Sequence, residues 1–442
     1  MFLDRMKAAL TGSPHTPLVF LGNFEVEDQW ADGVNGLPRV SFSAGATIVN
    51  RMDEFGLLLA GPGDHVVLKE APDEDYLTHL EELGVALPRV HTVARNDPAR
   101  TVTLDALEDQ KLLAELSGLV GAWIAPHGTS VLEERLAEAA RLPLITPSAA
   151  VCKATNSKIY SRRAADGTGL RQATGWTVSD MNELEVALDG ARVLLGKGGT
   201  VVVKDAFGVS GKGITVIAEQ QKLDRLHAMI RRRAAKRGDD TLALVIEEWV
   251  AKVADLNYQF TVGHDGSAHF DFVKEAITEA GVHKGHRIPA DLAAAQVAQL
   301  EDAAHRLAKV LHGDGFHGVT GVDAMVAPDN SLYPVVEINA RHNMSTYQLT
   351  VQELLMAPGQ IALARLYPLR LDGRLTYRTL RRRLAGLLLD APGGSGLLVN
   401  NFATVNAGAR DGTFDGRLYG LLIAEDRARL AALDTEIVRR LP

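Results

Sequence analysis

The stretch Leu332-Tyr-Pro-Val-Val-Glu-Ile-Asn-Ala-Arg-His342 decides how the rest of this chain is read. It alternates with period two, so Glu337, Asn339 and Arg341 fall on one face of a strand while Val336 and Ile338 fall on the other. Upstream, Val319-Thr-Gly-Val-Asp-Ala-Met-Val326 reads as a second strand, and Pro328-Asp-Asn-Ser331 has the composition of a tight turn. A hairpin about that turn sets Asp323 opposite Glu337, to within one residue of register. Two carboxylates facing each other across a sheet repel unless a cation lies between them. Asp323, Glu337 and the amide oxygen of Asn339 form a hard oxygen set suited to Mg²⁺ bridging phosphates. The plainer alternative is an amphipathic strand with a wet polar face.

Outward from this hairpin, Thr200-Val-Val-Val-Lys-Asp-Ala-Phe-Gly-Val-Ser-Gly-Lys-Gly-Ile-Thr-Val-Ile217 reads as two β-branched strands around a loop containing Gly208, Gly211 and Gly213. Glycines let backbone N–H groups turn toward an anion, and Lys212 adds a point charge, so the loop is a candidate phosphate cover. It is not a Walker A loop, because Lys212 is followed by glycine and a strand follows where a helix is required. A Gly-rich hairpin with no ligand is the competing reading. Leu242-Ala-Leu-Val-Ile-Glu-Glu-Trp-Val250 reads as a buried strand ending in paired acids, and it leads through Asp255 into further strands. Residues 281–289, which hold Arg287, read as a basic, flexible loop of the kind that closes over an anion. Its histidines lack a third ligand at metal-binding spacing.

From residue 17 to about 147, apolar runs at 18–21, 66–68, 90–93, 122–125 and 144–145 alternate with helical patterns at 76–83, 104–116 and 131–140. Such alternation predicts a doubly wound, mostly parallel α/β sheet, which binds ligands at its strand C-termini. The segments 21–24 and 125–129 end strands in that way, and neither carries the spaced glycines of a dinucleotide fingerprint. Pro147-Ser148 marks a boundary, and a basic helix begins near Lys158. Past about Pro358 the pattern changes to a last α+β piece with strands near 397–402 and 418–423 and a helix from Arg427. The division is 1–150, 151–360 in two lobes meeting near 245, and 361–442.

The 442 residues, 46% hydrophobic and 23% charged with a net charge of −8, predict two to four soluble globular domains and no general affinity for polyanions such as nucleic acid. The single cysteine, Cys152, excludes an intrachain disulfide framework and reads as a small buried residue. No run of eighteen apolar residues predicts a membrane span, and the charged N-terminus predicts a cytoplasmic address.

In order, Lys158, Lys204 before the Gly-rich hairpin, Glu247-Glu248, Asp255, Asp323 and Glu337-x-Asn339 resemble the ATP-grasp superfamily over about residues 150–360. The flanks, including Val405-Asn-Ala-Gly408 and Gly416-Arg-Leu-Tyr419, are similar to the pheganomycin-type peptide ligases, with a pre-ATP-grasp domain, a two-lobed core and a small C-terminal α+β domain. The resemblance implies ATP and Mg²⁺ as cofactors. It implies that Lys158 and Lys204 contact phosphates under the loop of Gly208, Ser210, Gly211, Lys212 and Gly213. Glu247, Glu248, Trp249 and Val250 would lie near adenine, Asp255 near ribose, and Asp323, Glu337 and Asn339 on magnesium. Arg341 would hold the substrate carboxylate or developing oxyanion. Thr320-Gly-Val322 departs from the arginine that some members carry just before the metal-binding Asp, so Arg341 or Arg287 must take that charge. The implied activity is carboxylate–amine ligation between a small-molecule acid and an amine or peptide acceptor, with a homodimer among the expected assemblies. The rivals are a bicarbonate-using carboxylase and a nucleotide-binding regulator without turnover.

Overall fold

Apolar runs near the N-terminus form a parallel sheet of β1 (Leu18–Leu21), β2 (His65–Leu68), β3 (Arg89–Thr92) and β4 (Trp123–Pro126) in the order β3-β2-β1-β4. The structure is a computed structural model describing residues 1–37, 46–208, 213–279 and 282–442. Residues 144–145 make a single bridge, Ile124 to Leu144, rather than a full strand. The helix expected over 104–116 is two helices, Val102–Glu108 and Gln110–Ser117. Asp109 breaks it, because its carboxylate accepts from the N–H groups of Lys111 and Leu112 and caps the second helix. Strand order reverses between β1 and β4, so the loops leaving both strands flank a topological switch point. Asn23 ties them together, donating to Gly128 O at 2.7 Å and accepting from His127 N at 2.9 Å.

A second sheet holds β5 (Gly175–Asp180), β6 (Val201–Asp205), β7 (Ile214–Ile217) and β8 (Thr241–Glu248), antiparallel in the order β5-β8-β6-β7. The Gly-rich hairpin is β6–β7, with Val201 opposite Ile217. Helices Met181–Gly196 and Gln220–Arg237 cover one face through Leu184, Leu188, Leu223 and Ile230. Leu37 enters this core from the N-terminal part, its N–H donating to Asp205.

The third sheet has eight strands: β9 (Ala254–Val262), β10 (Ala268–Glu279), β11 (Val282–Ile288), β12 (Gly318–Val326), β13 (Leu332–Asn339), β14 (Ile361–Leu371), β15 (Gly396–Asn401) and β16 (Phe414–Ala424). Their order is β13-β12-β9-β10-β11-β14-β16-β15. One expectation changes here. The basic segment after residue 281 is the interior strand β11, not a loop. Ladders with β10 and β14 on either side satisfy its backbone, which overrides its polar composition. The C-terminal strands continue the sheet of the core, because β14 pairs with β11. Behind them lies a hydrophobic core that joins Phe2, Leu58 and Tyr76 to Leu389, Leu398 and Leu421. Cys152 is buried as read, its thiol pushed up to about 12 by burial.

Candidate active site

Register places the first pair of acids. β12 and β13 pair antiparallel with Asp323 directly opposite Glu337 and Gly321 opposite Asn339. Burial and the nearby Glu337 carboxylate push the Asp323 carboxyl up to about 6. Asn257, on the neighbouring β9, donates to Asp323 Oδ1 at 2.9 Å, and Asn339 Nδ2 lies 3.3 Å from Asp323 Oδ2. The helix Lys158–Thr168 docks across β13, with the Ser161 hydroxyl accepting from Ile338 N at 2.9 Å. That docking brings Lys158 Nζ within 2.6 Å of Glu337 Oε1 and 2.9 Å of Gly208 O.

On the facing lobe, Lys204 of β6 is ion-paired with Glu247 of β8. Arg162, four residues after Lys158 on the same helix face, reaches the other oxygen of Glu247 at 3.2 Å. Sequence reasoning missed Arg162, although its i+4 spacing from Lys158 was the available signal. Asn257 was missed too, and its place two residues after Asp255 on an alternating strand was the corresponding sign. The N–H of Trp249 donates to Thr200 O at 2.8 Å and that of Glu248 to Thr174 O at 2.7 Å. The Trp249 N–H, expected near a nucleobase, is therefore engaged within the protein. Asp255 is held by Lys252 at 2.6 Å and by the Thr278 hydroxyl. Gly213 needs its left-handed φ of 74°, and a Cβ there would lie 2.7 Å from Asp205. Ser210, Gly211 and Lys212 lie outside the described residues.

Arg341 follows β13 where the chain meets the first sheet: His342 N donates to His127 O at 3.1 Å. Its guanidinium donates to Glu27, to Asn339 Oδ1 at 3.0 Å and to His342 O at 2.9 Å. Glu27 comes from the helix Val26–Ala31 after β1, and no spacing in the sequence connects it to Arg341. Arg287 lies on β11, ion-paired with Glu275 across the ladder. Four strand steps separate β11 from β13, roughly 19 Å at about 4.8 Å per step. Arg287 and Arg341, the two arginines offered for one oxyanion, thus arise from well-separated places in the sheet. The missing arginine before Asp323 also has a steric reason, since a Cβ at Gly321 would lie 2.0 Å from Asn343 Nδ2.

One cleft of about 2240 Å³ is lined by Lys158, Lys204, Glu247, Asp323, Glu337 and Arg341. Gly208, Gly213, Glu248, Trp249, Val250, Asp255, Arg287 and Asn339 line it as well. Every expected site residue among those described therefore borders a single cavity. Its volume exceeds the roughly 300–1,000 Å³ that one small ligand usually fills, so it has room for a nucleotide and a second substrate. Within it Lys158 pairs with Glu337, Lys204 with Glu247, and Arg341 with Glu27. Such closed pairs let a polyanion take the cations only if another cation takes the carboxylates. Two carboxylates and an amide oxygen on one face suit a hard divalent ion, and burial followed by the nearby Glu337 lifts the Asp323 carboxyl, a cost that such an ion relieves.

This fold and this arrangement define an ATP-grasp protein. A Pre ATP-grasp domain family matches residues 52–142 and an ATP-grasp domain family matches residues 189–345. The chain is an ATP-grasp carbon–nitrogen ligase. It is 27% identical over 328 residues to the [butirosin acyl-carrier protein]–L-glutamate ligase of Niallia circulans, covering 73% of this chain and 72% of that one. Its fold is similar to biotin carboxylase from Campylobacter jejuni, with a TM-score of 0.57 and 14% identity over 97% of this chain and 91% of that one. N5-carboxyaminoimidazole synthetase from Staphylococcus aureus gives a TM-score of 0.52 and 13% identity over 96% of this chain and 97% of that one.

Proposed function

We propose that the enzyme activates an amino acid or N-modified amino acid as its acyl phosphate and joins it to an amino acid or peptide, in the assembly of a natural product. The observation that carries this reading is the set of exchangeable ion pairs in one cleft, Lys158–Glu337, Lys204–Glu247 and Arg341–Glu27. In this reading a carboxylate oxygen of the acid attacks the γ-phosphorus of ATP, the bond from that phosphorus to the β–γ bridging oxygen breaks, and ADP leaves. The amine nitrogen then attacks the acyl carbon, the bond from carbon to the phosphate oxygen breaks, and the nitrogen loses a proton. Phosphoryl transfer of this kind depends on positioning and charge neutralisation more than on covalent help from the protein.

Lys158 and Lys204 would turn from their carboxylates to the phosphates, and Arg162 would keep Glu247 in place meanwhile. Asp323, Glu337 and Asn339 would hold Mg²⁺, which supplies charge neutralisation at the terminal phosphates when bound. Arg341 would face the acid once Glu27 releases part of its fork. The hairpin loop beyond Gly208 would close over the phosphates and exclude water that hydrolyses acyl phosphates. The relative from Niallia circulans, a glutamate ligase acting on a carrier protein by its name, supports ligation of an amino acid. The test is an ADP-release screen over amino acids, N-modified amino acids and short peptides, followed by mass analysis of products. An amide product whose formation tracks ADP release is expected. ADP release that depends on bicarbonate and on no added acid would overturn the reading.

A further inference from the structure

We propose that the acid activated in this cleft is an α-amino acid with an aromatic or large apolar side chain, seated against Phe24, Met52, Phe55, Met344 and Tyr419. The inference rests on the ligase reading above and adds the substrate's side-chain class. These five residues line the same cleft as Arg341. Phe24 follows β1, Met52 and Phe55 belong to the turn Met52–Phe55, Met344 follows β13, and Tyr419 lies on β16, so four separate parts of the chain converge there.

Phe55 and Met52 are buried and form the back of this wall, while Phe24, Met344 and Tyr419 are half-buried and face the cleft. The rings make a continuous surface. Phe24 lies 5.9 Å from Phe55, and Phe55 meets Tyr419 edge-on at 5.2 Å. Tyr347 closes the back at 5.2 Å from Phe24, and the His127 ring lies 4.3 Å from that of Phe24, tilted by 30°. A polar amino acid would leave such a surface in water, whereas an aromatic or branched side chain would cover it.

The polar groups beside the wall match the other end of an amino acid. Arg341 is one residue from His342, whose N–H is bonded to His127 at the edge of the wall. Glu27, three residues after Phe24, accepts from Arg341 through Oε1, and its buried Oε2 has no hydrogen-bond partner among the described residues. A substrate ammonium group would satisfy that oxygen while the substrate carboxylate lies near the guanidinium. Asp28, the next residue on the helix of Glu27, also lines the cleft.

The test uses the full chain with ATP, Mg²⁺ and hydroxylamine as a general amine, reading ADP release and hydroxamate for L-phenylalanine, L-leucine, L-alanine and L-glutamate. Phenylalanine is expected to exceed alanine and glutamate in kcat/KM by roughly ten- to a hundred-fold, the range that burial of one large apolar side chain provides. Phe24→Ala and Tyr419→Ala are each expected to cut that preference at least about five-fold, mainly through KM for phenylalanine, with Phe24→Leu restoring most of it. A preference for glutamate or alanine, or a preference unchanged in both alanine variants, overturns the inference. ATP binding is followed separately by calorimetry. Binding without turnover of phenylalanine or leucine overturns the side-chain class alone, whereas failure to bind ATP removes the ligase reading and this inference with it.

Discussion

Glu337 touches both halves of the site: its carboxylate faces Asp323 across the hairpin and accepts from the Lys158 ammonium. Glu337→Ala removes one oxygen donor from the ion-binding face and leaves the buried Lys158 ammonium with Gly208 O as its one remaining acceptor among the described residues. ADP release is expected to fall about 100-fold or more, as when a charge-stabilising group is removed from other active sites. Cooperative thermal unfolding should persist, since Glu337 is not part of a hydrophobic core. Turnover within a few-fold of the parent enzyme would remove Glu337 from the mechanism. Arg162→Ala tests a subtler role. It frees one oxygen of Glu247, which then binds Lys204 more fully, so the KM for ATP is expected to rise roughly three- to ten-fold with a smaller change in kcat. Steady-state kinetics at varied ATP separate the two effects.

At the scale of elements, the hairpin β12–β13 was legible from its alternation and turn composition, and the hairpin β6–β7 from β-branched runs on either side of a Gly-rich loop. Strand β11 was not, because its polar, glycine-containing sequence becomes a strand only when β10 and β14 bracket it. Glu27 was not legible either, since its contact with Arg341 joins residues 314 positions apart in the sequence. The turn Met52–Phe55 shows the same kind of long-range contact in a stability role. Glu54 is buried and accepts from the N–H groups of Phe402 and Ala403, the latter at 2.7 Å, clamping the end of β15 to the first domain. Burial pushes its carboxyl up to about 7 from an ordinary value near 4.5. A raised carboxyl favours the folded state fully below the unfolded value and loses that contribution as pH rises through the folded one. Stability is therefore expected to fall between about pH 4.5 and 7 by a few kcal/mol from this group. Glu54→Gln removes the titration while keeping an acceptor oxygen. Urea unfolding at pH 5 and pH 7.5 should show the variant gaining on the parent at the higher pH, and parallel behaviour at both values would refute the assignment.

At the scale of the whole molecule, the three sheets differ in how far they can stand alone. The β5–β8 lobe keeps a core of its own, to which the first domain adds Leu37. The first domain and the C-terminal strands do not separate in this way. Phe2, Leu58, Tyr76 and Leu80 pack in one core with Tyr377, Leu389, Leu398 and Leu421. Tyr377 and His79 share a hydrogen bond at 2.5 Å, and His79 also reaches Leu389 O at 2.9 Å. The shape of the cleft depends on this union, because Tyr419 arrives from β16 and Phe24 from the loop after β1. A chain ending at residue 360 would lose one side of the shared core and leave β11 without β14, exposing both apolar surface and an unpaired strand edge. Such a truncation is expected to aggregate or to bind a hydrophobic dye with no cooperative melt, even though it retains every residue assigned here to ATP and magnesium. If residues 1–360 instead gave a monodisperse protein that melts cooperatively and binds ATP, the shared core would be dispensable and the C-terminal strands an appendage to a self-sufficient enzyme.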